Sequence, residues 1–133
     1  MPYTAYSKMK VVKALNTGAR TNGTIQGTTV DRLASGNAFG SVVFATISET
    51  LTDGVHTLSV EESDDNSSWA SAAAGDQTAA VATVAGQNNL TFEVGYHGAK
   101  RYCRLKVVTS GATTGGVIEA VAVLAHPRHD PVR

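Results

Sequence analysis

The chain has 133 residues, one cysteine and a formal net charge of zero. That length sets one domain with a core able to fold without staples, and the lone Cys103 excludes an internal disulfide. Charged residues make up 17%, against roughly 25% in an average domain, and a neutral chain without aromatics interleaved in a basic stripe argues against a nucleic-acid binder.

Residues 1–9 read as an extended arm, in which Tyr3 and Tyr6 either anchor on a neighbouring surface or belong to a frayed terminus. The arm has no apolar segment of a signal peptide, and no run approaches 18 apolar residues, so neither export nor a membrane partner is expected. Val11 to Leu15 is a strand closed by the turn cluster Asn16-Thr17-Gly18. Thr24-Ile25-Gln26 and Thr28-Thr29-Val30 are short strand-like runs.

Phe39 to Thr50 is a strong strand, with Val43, Ala45 and Ile47 on one face and Val42, Phe44 and Thr46 on the other. Thr52-Asp53-Gly54 signals a tight turn. His56 to Ser63 alternates in its turn, so the two runs are expected to form a hairpin. Asp64 to Ser68 is a turn, and Trp69 is expected to cap one end of the core. Ala70 to Gly86 mixes alanines with β-formers and reads as a loop followed by a short strand over 78–84. Gln87-Asn88-Asn89 is a turn, Leu90 to Val94 a strand, and Gly95 to Gly98 a turn into a closing hairpin.

That hairpin comprises two runs around a glycine-rich turn. In the first, Cys103, Leu105 and Val107 share a face opposite Tyr102, Arg104 and Lys106, the pattern of a strand with one face in a core. Cys103 therefore reads as a small buried apolar side chain. In the second, Ile118, Ala120, Ala122 and Leu124 face away from Val121 and Val123. Both faces are apolar, so this strand is central or its outer side is covered, by a second sheet or by another subunit. Pro127 closes the run, and His126-Pro-Arg-His129 begins a basic tail.

Seven or eight short strands and no amphipathic helix predict an all-β antiparallel sandwich, jelly-roll-like. The expected organisation is an arm over 1–9, one sandwich domain over 10–126 and a tail over 127–133. No Lys or Arg occurs between Leu33 and Ala99, where Glu49, Asp53, Glu61, Glu62, Asp64, Asp65, Asp76 and Glu93 lie. Basic ends and an acidic middle suit contacts between copies; equally, oppositely charged strands can neighbour one another within one fold.

Chemistry finds little footing. The acidic turn at Glu61–Asn66 lacks the spacing of an EF-hand. His126 and His129 have no further ligands to complete a zinc site. No nucleophile elbow or phosphate loop is present, and Glu61 and Glu62 point to opposite faces of one strand. No catalytic residue, cofactor or metal is expected.

The segments Leu58–Trp69, Gly98–Leu105, Thr113–Ile118 and Ala122–His129 together resemble small tailed-bacteriophage virion proteins of the capsid cement or decoration type, over about residues 39–130. The resemblance carries no catalytic motif. It implies a structural protein on the outside of the virion capsid, made in the host cytoplasm, with the major capsid protein as partner and a homodimer or homotrimer as its form. The expected contacts are Tyr3 and Tyr6 in the arm, the Tyr102, Arg104 and Lys106 face, and Arg128 and Arg133 in the tail. The alternatives are a neck- or tail-associated component and a carbohydrate-binding sandwich, the latter resting on Trp69 beside Asp64, Asp65 and Asn66.

Overall fold

A computed structural model describes residues 4–33, 38–78, 80–83 and 90–128. One turn of helix, α1 (Ala5–Lys8), precedes twelve strands among these residues: β1 (Lys10–Leu15), β2 (Ala19–Arg20), β3 (Gly23–Gln26), β4 (Val30–Asp31), β5 (Phe39–Leu51), β6 (Val55–Ser63), β7 (Ala70–Ser71), β8 (Gln77–Thr78), β9 (Ala80–Thr83), β10 (Thr91–Tyr96), β11 (Tyr102–Ser110) and β12 (Gly116–Pro127). Sheet I runs β1-β12-β5-β10-β8, with β2 also on β12. Sheet II runs β3-β11-β6-β7, with β4 on β11 and β9 on β6. The fold is an all-β sandwich.

Eight strands have four residues or more: β1, β3, β5, β6, β9, β10, β11 and β12. Counted along the chain, the first pairs with the eighth, the second with the seventh, the third with the sixth and the fourth with the fifth, all antiparallel. One long hairpin rolled on itself gives this pairing, which is the jelly-roll arrangement. The strands expected over Val11–Leu15, Thr24–Gln26, Phe39–Thr50, His56–Ser63 and Leu90–Val94 are all present with shifted ends. The run expected over 78–84 is divided between β8 on sheet I and β9 on sheet II.

The period of two in the sequence becomes an inner and an outer face. β5 turns Val42, Phe44, Thr46 and Ser48 inward; β6 turns His56, Leu58 and Val60 inward. β11 buries Cys103, Leu105, Val107 and Thr109, and β12 buries Ile118, Ala120, Ala122 and Leu124. Every buried side-chain polar atom among the described residues has a hydrogen-bond partner. His56, fully buried, shares Nδ1 with Thr109 Oγ1 at 2.9 Å.

Three expectations are corrected. First, neither hairpin forms. β5 lies in sheet I and β6 in sheet II, and likewise β12 and β11 lie in opposite sheets. The turns at Thr52–Gly54 and Gly111–Gly115 are arches that carry the chain from one sheet to the other, laying the inner faces of consecutive strands against each other. A tight-turn signature encodes reversal of direction and not the plane of the reversal. Gly54, at φ +91°, is needed because a Cβ there would stand 2.7 Å from the Ala112 Cβ of the other arch. Second, Trp69 is half-buried and outside the core cluster. The fully buried Tyr96 closes that end instead, donating its hydroxyl to Glu62 at 2.6 Å beneath the Arg32 guanidinium. Third, Ala5–Lys8 of the arm is a helical turn, not extended chain.

The two arches are laced by one side chain. The Asp53 carboxylate accepts backbone N–H bonds from Thr113 at 3.0 Å, Thr114 at 3.1 Å and Gly115 at 2.6 Å, and Thr52 N–H donates to Gly115 O at 2.9 Å. These bonds, Gly115's first, hold the Asp53 carboxyl below the usual carboxylate range. Its folded value lies below its unfolded one. The clamp therefore stabilises fully above an ordinary carboxylate pKa of about 3.9 and fades as pH falls through the folded value. Asp53→Asn is expected to lower Tm by a few degrees at pH 7, with the gap to wild type closing toward pH 2.5. Thermal melts across that range check this, and a gap that stays constant into acid contradicts it.

Candidate functional site

No group of three or more metal-ligating side chains occurs among the described residues, and no helix among them is long and apolar enough to cross a membrane. The candidate sites are contact surfaces, and there are three.

The first is the outer face of sheet II, where Tyr102, Arg104 and Lys106 stand. Register places Arg104 opposite Glu61. Arg104 Nε donates to Glu61 Oε1 at 2.9 Å, and the guanidinium lies 4.0 Å over the Trp69 ring. Lys106 Nζ is 4.0 Å from the other Glu61 oxygen. Beside them Arg101 grips Asp31 through Nε and one terminal nitrogen, both at 2.9 Å, and covers the Tyr102 ring at 4.9 Å. Lys100 Nζ pairs with Asp64 at 2.6 Å. The Arg101 bond draws the Asp31 carboxyl below its ordinary value, and Asp64 raises the Lys100 ammonium. Of the two readings of the uneven charge, this geometry favours neighbouring strands within one fold: the basic run 100–106 meets acidic partners on β4 and β6 and in the turn after β6.

The second surface is one end of the sandwich. β1 starts beside the end of β12, with Lys10 opposite Leu124, so α1 and the chain leaving β12 emerge together. Tyr6 is 71% exposed. Arg128 is exposed, and its backbone N–H donates to Ala38 O at 2.8 Å. The Ser41 hydroxyl meets His126 Nδ1 at 2.7 Å. The structure thus brings Tyr6 and Arg128 to one pole. Tyr3, Arg133 and His129 lie outside the described residues.

The third surface is the outer face of sheet I. β12 is central, between β1 and β5. Sheet II covers its inner side, so among the described residues the face bearing Val121 and Val123 is not covered by a second sheet. Register aligns side chains in rows across the four strands β1, β12, β5 and β10. One row is Val11, Val123, Val43 and Gly95; the next is Lys13, Val121, Ala45 and Glu93; a third carries Glu119, Ile47 and Thr91. Val11, Ile47 and Val121 are 57%, 51% and 41% exposed. An open groove of about 420 Å³ crosses this face where β1 bulges between Lys13 and Leu15. Exposed Val11, Ile47 and Val121 with half-buried Val43, Ala45 and Val123 between them make one continuous apolar patch, which makes this face a candidate contact surface. Sequence reasoning flagged Val121 and Val123 but missed Val11, Lys13 and Glu93, whose alignment depends on register between distant strands.

The carbohydrate candidate is differently engaged. Asp65 Oδ1 accepts from Ser67 N–H at 2.9 Å, Ser68 N–H at 2.8 Å and Ser63 Oγ at 3.0 Å. Asp64 holds Lys100, and one face of Trp69 carries Arg104. The turn is organised inward.

Comparison with protein-family models, with curated proteins and with solved structures finds no match to this chain.

Cys103, as the sequence suggested, is in the core, and burial pushes its thiol up to about 12. It is expected not to react with an aromatic disulfide reagent at pH 8 in the native protein, and to give one thiol per chain in denaturant. Rapid native labelling would contradict the placement.

Proposed function

We propose that this protein is a structural component of a tailed-bacteriophage particle, a cement or decoration protein on the outside of the head that bridges neighbouring subunits of the major capsid protein. The observation that carries the reading is the pole at which α1, with Tyr6, and the end of β12, with Arg128, emerge together. Chain segments that leave the sandwich at one pole can each reach a different coat subunit. An aromatic anchor and an arginine are the side chains that contribute most to such contacts. The resemblance of residues 39–130 to virion proteins supports the same assignment.

The work is mechanical. Apolar area buried across two coat subunits opposes their separation, and about 800 Å² per partner is enough for stable association. Several such contacts from one oligomer multiply through avidity. The charged side chains of sheet II serve the domain's own packing, so the pole carries the particle contact in this account.

Removing residues 1–9, and separately replacing Tyr6→Ser together with Arg128→Glu, is expected to lower occupancy on purified particles at least tenfold while the domain keeps its Tm. Quantitative protein analysis of those particles is expected to find the wild type in hundreds of copies. A dozen or fewer copies would move the protein to the neck or tail. Normal particle binding by both altered forms would contradict the contact model.

A further inference from the structure

The outer face of sheet I is complementary to itself. Sheets pack face to face about 10 Å apart with their strands nearly aligned. For two copies related by a two-fold, the axis then lies in the plane between the sheets. Lys13 and Glu93 stand at opposite edges of one row, with Val121 and Ala45 between them. Both are exposed, and neither makes an ion pair among the described residues. Their lack of partners contrasts with the paired charges of sheet II.

We propose that two copies of this chain dimerise through this face, about a two-fold axis parallel to β12 and β5, with Lys13 of each copy paired to Glu93 of the other. Such an axis exchanges the two edges of the sheet. Val121 of one copy then meets Ala45 of the other, and Val123 meets Val43. The protruding Val11 falls over Gly95, where no side chain stands. Glu119, in the third row, is drawn aside by Thr17 Oγ1, which donates to its carboxylate, so its stem rather than its charge faces Ile47. An axis across the strands would instead set Lys13 against Lys13 and Glu93 against Glu93. The charge pattern therefore selects one of the two arrangements.

The size is also adequate. Four strands span about 20 Å, and the three rows together with the adjoining Ala125 and Ser41 pair span about 27 Å, a flat footprint of about 500 Å². With side-chain relief its accessible area approaches the roughly 800 Å² per partner of a stable complex. The face is separate from the pole assigned to the particle, so dimerisation and particle binding can fail independently.

Sedimentation equilibrium of the full chain tests the proposal. The wild type is expected at twice the 13.8 kDa of one chain, with weaker association as salt rises from low to about 0.5 M. Lys13→Glu and Glu93→Lys each set two like-charge pairs in the interface and are expected to raise the dimer dissociation constant about tenfold. The double variant K13E/E93K restores the pairing reversed and is expected to return the constant to within about threefold of wild type. Both side chains are exposed, and Tm verifies that each variant is folded. A monomer at high micromolar concentration, a trimer, a dimer indifferent to the single swaps, or a folded double variant without rescue overturns the proposal.

Discussion

The Asp53 carboxylate binds three backbone N–H groups from an arch some sixty residues further along the chain, and this clamp ties together the two arches at one end of the sandwich. β5, β6, β10, β11 and β12 alternate between sheets, so the chain crosses the end of the core repeatedly. Each crossing leaves backbone groups that no ladder satisfies, and a carboxylate that accepts their N–H bonds fixes the crossing in place. Asp53 gathers those of the Gly111–Gly115 arch and, through Thr52 N–H, ties its own arch to it. At the opposite end Arg32 plays the matching part, donating to the carbonyls of Phe39, Gly98 and Lys100 above the ring of Tyr96. Between these two polar clamps the inner faces of β5, β6, β11 and β12 pack together with Ala14, Leu15, Val30, Val94 and Tyr96 in one core.

The arches determine what faces outward. Because β5 and β12 neighbour each other in sheet I while β6 and β11 neighbour each other in sheet II, the two outer faces differ in chemistry. Sheet II sets the basic residues of β11 against the acidic ones of β6, and Arg104, Glu61 and Trp69 form a closed group. Its charges satisfy one another. Sheet I sets two strands with apolar outer residues side by side, and no sheet among the described residues packs over them. The same topology places α1 and the end of β12 at one pole. Among the described residues the molecule thus presents an apolar face on sheet I and, at a separate pole, α1 beside the end of β12.

Strand positions were legible because alternation is local. Val42, Phe44 and Thr46, or Cys103, Leu105 and Val107, announce an inner face without reference to the rest of the chain. The apolar outer side of the last strand correctly marked it as central. What lies beyond local reach is which strand neighbours which. Thr52-Asp53-Gly54 looks like a hairpin turn because glycine at positive φ and a carboxylate accepting N–H bonds serve an arch as well as a hairpin. Trp69 left the core because register placed Arg104 beside it, 35 residues later in the chain. The paired charges and the row Lys13, Val121, Ala45 and Glu93 were invisible for the same reason: each joins residues brought together only by register. The helical turn Ala5–Lys8 and its place beside the end of β12 were not legible, since that neighbourhood too is set by register.

The account turns on the outer face of sheet I being a surface where two copies meet. Isotope-filtered nuclear Overhauser spectra of a mixture of labelled and unlabelled chains test this most directly, since they report only contacts between copies. The account predicts intermolecular contacts from the Val121 methyls to Ala45 and from the Val11 methyls to the Gly95 Hα atoms. Spectra of the associated protein with no such contacts, or with intermolecular contacts confined to sheet II, would contradict it.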